Sequence, residues 1–242
     1  MLRAIILAGG FAKRMGKLAA QLPKSLLPIA GKPAIDYILD RLDEIAPKKI
    51  LLTTNVKFRP AFESWLASKR LMNVELVVEH STSEKEKPGA VGALARLVPR
   101  LEPDDYVVIC GDNIFTSSLT DMLRYYRERR KPVVALYRQN SLEEVMSGSA
   151  VTLDNDNRIS RFEEKPKKAT TTIVGACVYI LPYRSLLKSR EYLHAGGNRD
   201  EPGHFIAWLC KQEDVYGYML ASYVWDIGTP KGYEKLQQQF RA

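Results

Sequence analysis

The first 138 residues alternate between short apolar runs and amphipathic stretches, and this alternation restricts the fold more than any other feature. The apolar runs predict β-strands over 3–8, 48–55, 74–79, 105–113 and 132–138. The stretches between them carry apolar residues at helical spacing and predict helices over 32–46, 59–70, 90–97 and 119–130. Because alternating strands and helices build a parallel sheet covered on both faces, the sequence predicts an α/β fold. Ligands of such sheets bind at the carboxyl ends of the strands.

The second half of the chain, from about residue 139, has a different pattern. Strand-like runs at 149–154, 158–164 and 171–181 include a hairpin-type "DNDN" turn between the first two. Short helices are predicted over 202–212 and 230–240, with a β-rich segment between them. Since no linker or low-complexity segment separates the halves, we expect one domain over 1–242, with halves of about 1–138 and 139–242.

Charge and composition narrow the classes of function. The chain of 242 residues has 36 basic and 28 acidic side chains, a net charge of +8. Its dense basic runs are short, at 127–131 and 165–168, which favours small polyanions such as nucleotides as partners and not nucleic acid. No apolar run approaches the roughly 20 residues that span a bilayer, so no membrane association is expected. The widely spaced Cys110, Cys177 and Cys210 predict reduced thiols and a cytoplasmic location.

The turn after the first strand, "LAGGFAKRMG" at 7–16, has features of an anion site. Gly9 and Gly10 let backbone amides approach a phosphate chain. Arg14 can donate two hydrogen bonds to phosphate oxygens, and Lys24 can add a point charge. By themselves these residues fit an ordinary turn equally well, since the common phosphate-binding fingerprints are absent.

Two aspartates follow predicted strands at later positions. Asp112 comes after "YVVIC" and Asp226 after "SYVW", with Gly228 and Pro230 in the turn behind it. A carboxylate at such a strand end can hold Mg²⁺, which takes few carboxylates together with substrate phosphates. Alternatively, each of these two aspartates lies in an ordinary turn and binds no metal.

Taken together, these segments resemble the signature of the sugar-1-phosphate nucleotidyltransferases, also called nucleotide-sugar pyrophosphorylases. "LAGG-x-x-x-RM" is followed by "PKSLLPIAGKP", and four more motifs come in the same order as in that family. The glucose-1-phosphate thymidylyl- and uridylyltransferases look most similar. The resemblance covers nearly the whole chain and implies a Rossmann-like, mixed but mostly parallel sheet flanked by helices, with a smaller β-rich part that binds the sugar. The four further motifs are "PGAVGALA" (88–95), "GDN" (111–113), "FEEKP" (162–166) and "WDIGTP" (225–230).

The resemblance also implies roles for individual residues. In the first half it assigns nucleotide binding, and in the second half sugar-phosphate binding. The implied catalytic residues are Arg14, Lys24 and Lys165. The implied nucleotide-binding residues are Leu7, Ala8, Gly9, Gly10, Pro88, Gly89 and Asp112, and the implied sugar-phosphate-binding residues are Gly148, Glu164, Lys165 and Gly175. Asp112 and Asp226 would hold the Mg²⁺ cofactor.

Three details of these motifs depart from the family pattern or stay open. The segment before Pro88 is longer than in relatives, so the residue that recognises the base edge stays open, with Glu79 and Ser81 as the two candidates. Gly148 lies one residue out of register with the family's glycine, and Ser149 occupies that place. Pro166 predicts an extended backbone at Lys165.

The implied reaction joins a nucleoside triphosphate, UTP or dTTP, to a sugar 1-phosphate such as glucose 1-phosphate and releases pyrophosphate. Transfer to another small phosphorylated alcohol is one alternative. A non-catalytic regulatory homologue that only binds nucleotide sugars is another, although it would be expected to lose charged catalytic positions. Whether the protein forms a homo-oligomer stays open.

Overall fold

The structure, a computed structural model, describes residues 1–240, so the last two residues of the expected 1–242 domain lie outside it. The α-helices are α1 (Ala34–Asp43), α2 (Arg59–Lys69), α3 (Ala90–Leu97), α4 (Thr120–Arg129), α5 (Leu142–Val145), α6 (Tyr183–His194), α7 (Pro202–Leu209) and α8 (Pro230–Gln239). Three 3₁₀ segments cover Lys13–Ala19, Lys24–Leu26 and Val98–Arg100.

The strands of the first half are β1 (Leu2–Leu7), β2 (Pro28–Ile29), β3 (Lys32–Pro33), β4 (Ile50–Asn55), β5 (Val74–Glu79), β6 (Asp105–Cys110), β7 (Asn113–Phe115) and β8 (Val133–Arg138). Strands β1, β4, β5, β6 and β8 lie close to their predicted places, whereas the short strands β2, β3 and β7 were not predicted. The second half adds β9 (Ser149–Leu153), β10 (Ile159–Glu164), β11 (Ile173–Pro182), β12 (Tyr216–Met219) and β13 (Val224–Asp226). The sequence analysis predicted neither helix α5 nor helix α6.

Nine of these strands form one mixed sheet. Strands β6, β1, β4 and β5 lie side by side and are parallel, as the alternation predicted. Strand β11 pairs antiparallel with β6 on one side and with β8 and β9 on the other. Strands from both halves of the chain therefore share one sheet, and the predicted α/β fold with a mostly parallel centre and a β-rich second half is confirmed.

Apolar packing on both faces explains why the central strands are uniformly apolar. Helices α1, α2, α4 and α8 cover one face, where Ile38 and Phe62 are almost fully buried. Helices α3, α6 and α7 cover the other face, where Leu186 and Ile206 are fully buried.

The order of the strands determines where a ligand can bind. The chain runs from β1 outward to β4 and β5, and then returns to the other side of β1 to form β6. In open α/β sheets such a reversal leaves a crevice at the carboxyl ends of the strands. Here the glycine turn after β1 and the turn after β6 meet at that crevice, where the Gly111 amide donates to the Leu7 carbonyl at 2.9 Å.

Candidate active site

A cavity of about 640 Å³ opens at the carboxyl ends of β1, β4, β5 and β6. This volume is in the range of small-molecule sites. Its walls come from the glycine turn, the start of α3, and segments of the second half around β9, β10 and α7. The predicted site residues among them are Leu7, Ala8, Gly9, Gly10, Arg14, Lys24, Gly89, Asp112, Gly148, Glu164, Lys165, Gly175 and Asp226.

Pro88 is the predicted site residue that does not line this cavity. It faces a second groove on the other side of the start of α3, while its neighbour Gly89 lines the cavity. Of the two candidates for the base-reading position, Glu79 lines the cavity and Ser81 is buried outside its lining. Lys13, for which the sequence suggested no role, lies exposed at the rim.

Strand β4 holds the glycine turn in place. The hydroxyl of Thr53 accepts a hydrogen bond from the Ala8 amide at 3.2 Å. The Asn55 side-chain amide donates to the Gly9 carbonyl at 3.0 Å. A Cβ built on Gly9 would come 2.6 Å from Oε2 of Glu79, so a glycine at this position lets the turn approach that carboxyl group.

Glu79 is an acidic residue that lines the cavity next to the glycine turn, which is unusual beside a proposed anion site. Its Oε1 is buried and has no hydrogen-bond partner within residues 1–240. Burial raises the pKa of Glu79 to about 7, against the opposing charge of Arg96. A buried carboxyl oxygen without a partner costs free energy, which a ligand with a hydrogen-bond donor would offset. The carboxyl group therefore marks a position where a donor is expected.

Lys24, Asp112 and Asp226 form the charged centre of the cavity. The Lys24 ammonium donates directly to the Asp112 carboxylate. Strand β13 pairs antiparallel with β7, which sets Asp226 opposite Asn113. The Ile227 amide donates to the Asp112 carbonyl at 3.1 Å. Backbone pairing therefore brings together two aspartates that are 114 positions apart, the difference between 226 and 112.

The pKa values of the two aspartates move in opposite directions. Burial would raise the pKa of Asp112, but the charge and hydrogen bond of Lys24 outweigh it and leave the pKa lowered. Burial, and then repulsion from Asp112, raise the pKa of Asp226. Burial would also lower the pKa of Lys24, but the charge of Asp112 leaves it raised. Lys24 thus neutralises one carboxylate, and the other one stays unfavourably charged.

This donor set fits Mg²⁺. The cation takes one or two carboxylates together with substrate phosphates and water, and a divalent charge would relieve the repulsion between Asp112 and Asp226. Within residues 1–240, no three His, Cys, Asp or Glu side chains are grouped to hold a metal by themselves. A site of two carboxylates would therefore depend on phosphate oxygens to complete the coordination.

Arg14 reaches the same centre from the 3₁₀ segment after the glycine turn. A Cβ built on Gly228 would lie 3.2 Å from a guanidinium nitrogen of Arg14 and 2.7 Å from Oδ1 of Asp226. The Gly228 amide donates to that Oδ1 at 2.5 Å. Arg14 is nevertheless exposed, so its guanidinium can also reach a ligand in the cavity.

Lys165 lines the same cavity and forms an ion pair with Glu201. Its backbone is not extended as predicted from Pro166 but left-handed, with φ +47°. The Lys165 amide donates to the Gly148 carbonyl at 2.6 Å, and this bond holds the turn in a conformation that costs a non-glycine residue free energy. The steric preference imposed by Pro166 is therefore overridden by a contact between the residue before β9 and the residue after β10.

Glu164 lies beside this ion pair and behaves like Glu79. Burial, and then the charge of Glu201, raise its pKa to about 7. Its carboxyl group packs against Gly203 at the start of α7. Close by, the Ser149 hydroxyl accepts from the Gly175 amide at 3.0 Å. Both Gly148 and Ser149 line the cavity, so the shift in register leaves both residues at the wall.

Asn113 and Glu201 are among the cavity residues that the sequence analysis missed. Asn113 donates to Asp112 Oδ1 at 3.3 Å and accepts from the Cys177 amide at 3.1 Å, so it links β7 to β11. Its place directly after Asp112 in "GDN" was a usable signal. Glu201 lies in "GGNRDEPG" at 196–203, a loop with no motif, so only the fold could bring it to Lys165.

The expectation of three reduced cysteines is wrong in this structure. Cys110 and Cys177 form a disulfide bond, with their Cα atoms 5.4 Å apart, and Cys210 is free. The two bonded cysteines lie on the paired strands β6 and β11 and line the cavity. The two cysteines are 67 residues apart in the sequence, and their contact depends on the long-range pairing of these strands. The sequence alone therefore did not predict the bond. In the part of the chain that the structure describes, no helix is long and apolar enough to cross a bilayer.

Known proteins resemble this chain in sequence and in fold. D-glycero-α-D-manno-heptose 1-phosphate guanylyltransferase from Aneurinibacillus thermoaerophilus is 27% identical and covers 99% of both chains. Mannose-1-phosphate guanylyltransferase from Mycobacterium tuberculosis is 27% identical over 95% of this chain. This chain spans 62% of that relative's length and 60% of a mannose-1-phosphate guanylyltransferase catalytic subunit beta from Drosophila pseudoobscura pseudoobscura.

Two solved structures share the fold. A putative glucose-1-phosphate thymidylyltransferase from Bacillus anthracis superposes with a TM-score of 0.87, at 21% identity, over 100% of this chain and 96% of the other. A UDP-glucose pyrophosphorylase in complex with UDP-glucose gives 0.84, at 20% identity, over 100% and 99%. The family described as "Nucleotidyl transferase" matches residues 3–242. The resemblance drawn from the ordered motifs is thereby confirmed, and the chain belongs to the nucleotidyl transferase family.

Proposed function

We propose that this protein transfers a nucleoside monophosphate from a nucleoside triphosphate to a sugar 1-phosphate and releases pyrophosphate. The observation that carries the proposal is the arrangement of charge along one cavity. Arg14 and Lys24 meet the paired aspartates Asp112 and Asp226, and Lys165 lines the same cavity. Two phosphorylated substrates that repel each other need several cations to bind side by side.

The roles of the cations follow from their positions. Lys165 would bind the phosphate of the sugar 1-phosphate after exchanging its partner Glu201 for that phosphate. Lys24 would hold the triphosphate, and Arg14 would stabilise the negative charge that builds up on the α-phosphorus. Positioning and charge stabilisation are the main sources of catalysis in phosphoryl transfer. Mg²⁺ held by Asp112 and Asp226 would supply further neutralisation of the phosphate charge.

The attacking group needs no general base. A phosphate monoester has a second pKa of about 6 and is mostly a dianion near neutral pH, so its oxygen is already a nucleophile. This oxygen would attack the α-phosphorus in line while pyrophosphate leaves on the opposite side. The cavity lining within the described residues contains no histidine, in agreement with this chemistry.

For the donor and acceptor, the sequence resemblance favours UTP or dTTP with glucose 1-phosphate. The likeness in fold to a glucose-1-phosphate thymidylyltransferase and a UDP-glucose pyrophosphorylase supports this choice. A cytoplasmic location, which the cysteines no longer support, remains an expectation from the use of nucleoside triphosphates.

A second candidate donor is GTP, which the ionised form of Glu79 would suit; with a pKa of about 7, this form is populated at neutral pH and above. An ionised carboxylate accepts hydrogen bonds and donates none, so it matches the two adjacent donors, N1–H and N2–H, on the guanine edge. Uracil and thymine offer one donor between two acceptors, which suits a neutral carboxyl group or an amide. Two relatives with guanylyltransferase names support this candidate.

The test is a matrix of GTP, UTP, dTTP, ATP and CTP against glucose 1-phosphate and mannose 1-phosphate, followed by pyrophosphate release with Mg²⁺. Glu79→Gln is assayed beside the wild type, because the amide keeps the size and removes the charge. A wild type that prefers GTP, with a shift towards UTP or dTTP in the variant, assigns guanine. Preference of the wild type for UTP or dTTP would support the first candidate donor, UTP or dTTP. Binding of nucleotide sugars without turnover of any pair would favour the regulatory homologue.

A further inference from the structure

The start of α3 separates the active-site cavity from a second groove, in which Pro88 is the one residue with a predicted role. This groove has a volume of about 680 Å³ and lies between α3 and α6. Gly89, Ala90 and Ala93 face the cavity, and Pro88 and Gly92 face the groove. One short segment therefore forms a wall of both.

The lining of the groove is cationic. Arg96, Arg190, His194 and Arg199 are exposed along it, and none of its lining residues is an aspartate or glutamate. Within residues 1–240, no carboxylate lies within 4.0 Å of the three guanidinium groups. Most other cations around the cavity are paired, for example Lys87 with Asp200. Arg96 acts on the Glu79 carboxyl group without forming an ion pair, and the Arg199 guanidinium donates to the Lys85 carbonyl at 3.3 Å. Clustered arginines without a close ion pair raise the local concentration of anions and suit the geometry of phosphate oxygens.

Arg199 connects this groove to the active site. Its carbonyl accepts hydrogen bonds from the Val91 and Gly92 amides at 3.0 and 3.1 Å, which satisfies two free donors at the start of α3. Two residues further on, Glu201 forms the ion pair with Lys165. A ligand that fixes Arg199 would therefore act on both the α3 wall and the Lys165 partner.

We propose that the groove between α3 and α6 binds a small phosphorylated anion at a site separate from the active-site cavity. Its volume falls within the range of about 300–1,000 Å³ that is usual for small-molecule sites, which favours a metabolite over a nucleic acid. Arg96 and Arg190 supply the charge-assisted hydrogen bonds, and Arg199 transmits occupancy to Gly92. This site does not require the proposed catalytic activity.

The test uses tripolyphosphate as the probe and titration calorimetry as the measurement. Because the active site also attracts phosphates, two reciprocal variants are compared with the wild type. Arg96→Gln/Arg190→Gln removes groove charge, and Lys24→Ala/Lys165→Ala removes cavity charge. Arg184→Gln is the matched control, since it removes one exposed arginine from α6 outside the groove.

The wild type should bind the probe at two sites. The groove variant should lose one site or weaken it by about tenfold or more, and the cavity variant should keep it. If the double groove variant does not fold, Arg190→Gln alone tests the same site. Equal isotherms for the wild type and the groove variant would overturn the proposal, as would complete loss of binding in the cavity variant. Tighter, Arg190-dependent binding of a 12-nucleotide RNA would overturn the assignment of a small ligand.

Hydrogen exchange tests the connection through Arg199. In the cavity variant, tripolyphosphate should slow exchange of the Val91 and Gly92 amides, because their acceptor becomes fixed. Unchanged exchange at both amides, with the groove occupied, would overturn that part of the proposal.

Discussion

Lys24 donates directly to the Asp112 carboxylate and so joins the segment after β1 to the turn after β6. Asp226 faces the same pair from β13 and forms no ion pair within residues 1–240, where its only side-chain hydrogen bond comes from the Gly228 amide. The charge of Asp226 is therefore opposed by that of Asp112 and, unlike the charge of Asp112, is not neutralised by a direct ion pair. The first prediction follows from it.

Asp226→Asn should remove activity without destabilising the fold. Burial and the charge of Asp112 raise the pKa of Asp226, so its ionised form weakens the folded state as pH rises, and a neutral amide avoids that cost. The asparagine oxygen can still accept from the Gly228 amide. We expect a melting temperature near pH 7 at or above that of the wild type, with kcat/KM reduced by about 10²-fold or more. A variant that melts lower and keeps normal turnover would contradict this role.

Arg14→Ala should lower kcat by about 10²–10³-fold, equivalent to roughly 3–4 kcal/mol of lost transition-state stabilisation. The side chain is exposed, so the melting temperature should hardly change. Lys13→Ala is the matched control, because it removes the adjacent cation at the cavity rim. Equal losses in both variants would indicate a general effect of charge and no specific role for Arg14.

Lys165 and Glu201 should have opposite effects on the KM of the sugar 1-phosphate. Lys165→Ala removes the proposed phosphate ligand and should raise that KM by about tenfold or more. Glu201→Gln frees Lys165 from its ion pair and should lower KM by up to about fivefold, since exposed pairs are worth at most about 1 kcal/mol. Steady-state kinetics at saturating nucleotide measure both. A raised KM in Glu201→Gln would show that this carboxylate binds substrate itself.

Glu164→Gln should change how stability depends on pH. The folded state holds the Glu164 proton up to about pH 7, against an ordinary value of 4.5, so it binds more protons than the unfolded chain between these values. Stability therefore falls as pH rises through this window. The variant should gain in melting temperature relative to the wild type between about pH 5 and pH 8, by roughly 2–4 °C per kcal/mol. Glu163→Gln, whose carboxylate pairs with Arg161, is the control and should show no such gain.

The disulfide predicts a specific count of free thiols. Unfolded without reductant, each chain should expose the single free thiol of Cys210, and after reduction it should expose three. Thiol titration in denaturant measures the number directly. Three free thiols without reductant would show that Cys110 and Cys177 are reduced, as the sequence suggested.

The sequence could predict the parts of the site that local pattern encodes. An apolar strand followed by Gly9 and Gly10, or by Asp112, can be predicted from adjacent residues, because strand ends and turns depend on local chemistry. Contacts that depend on long-range pairing could not be predicted in this way. Glu201 reaches Lys165 only because α7 packs beside β10, and the left-handed backbone of Lys165 depends on Gly148, the residue before β9.

Helix α6 was missed for a different reason. Its segment "YRSLLKSREYLH" mixes buried serines with exposed cations, so its apolar face is narrow in the sequence. Ser185 and Ser189 are buried there because their hydroxyls have partners: Glu213 for Ser185 and the Leu186 carbonyl for Ser189.

Isotope transfer tests the central claim most directly. A sugar 1-phosphate labelled with ¹⁸O in its non-bridging phosphate oxygens is incubated with the nucleoside triphosphate and Mg²⁺, and the products are analysed by ³¹P NMR and mass spectrometry. Attack by a sugar-phosphate oxygen on the α-phosphorus predicts that all label stays in the nucleotide sugar, with one ¹⁸O in the new bridge, and that pyrophosphate carries none. Label in pyrophosphate, or pyrophosphate release that does not depend on the sugar 1-phosphate, would contradict the account.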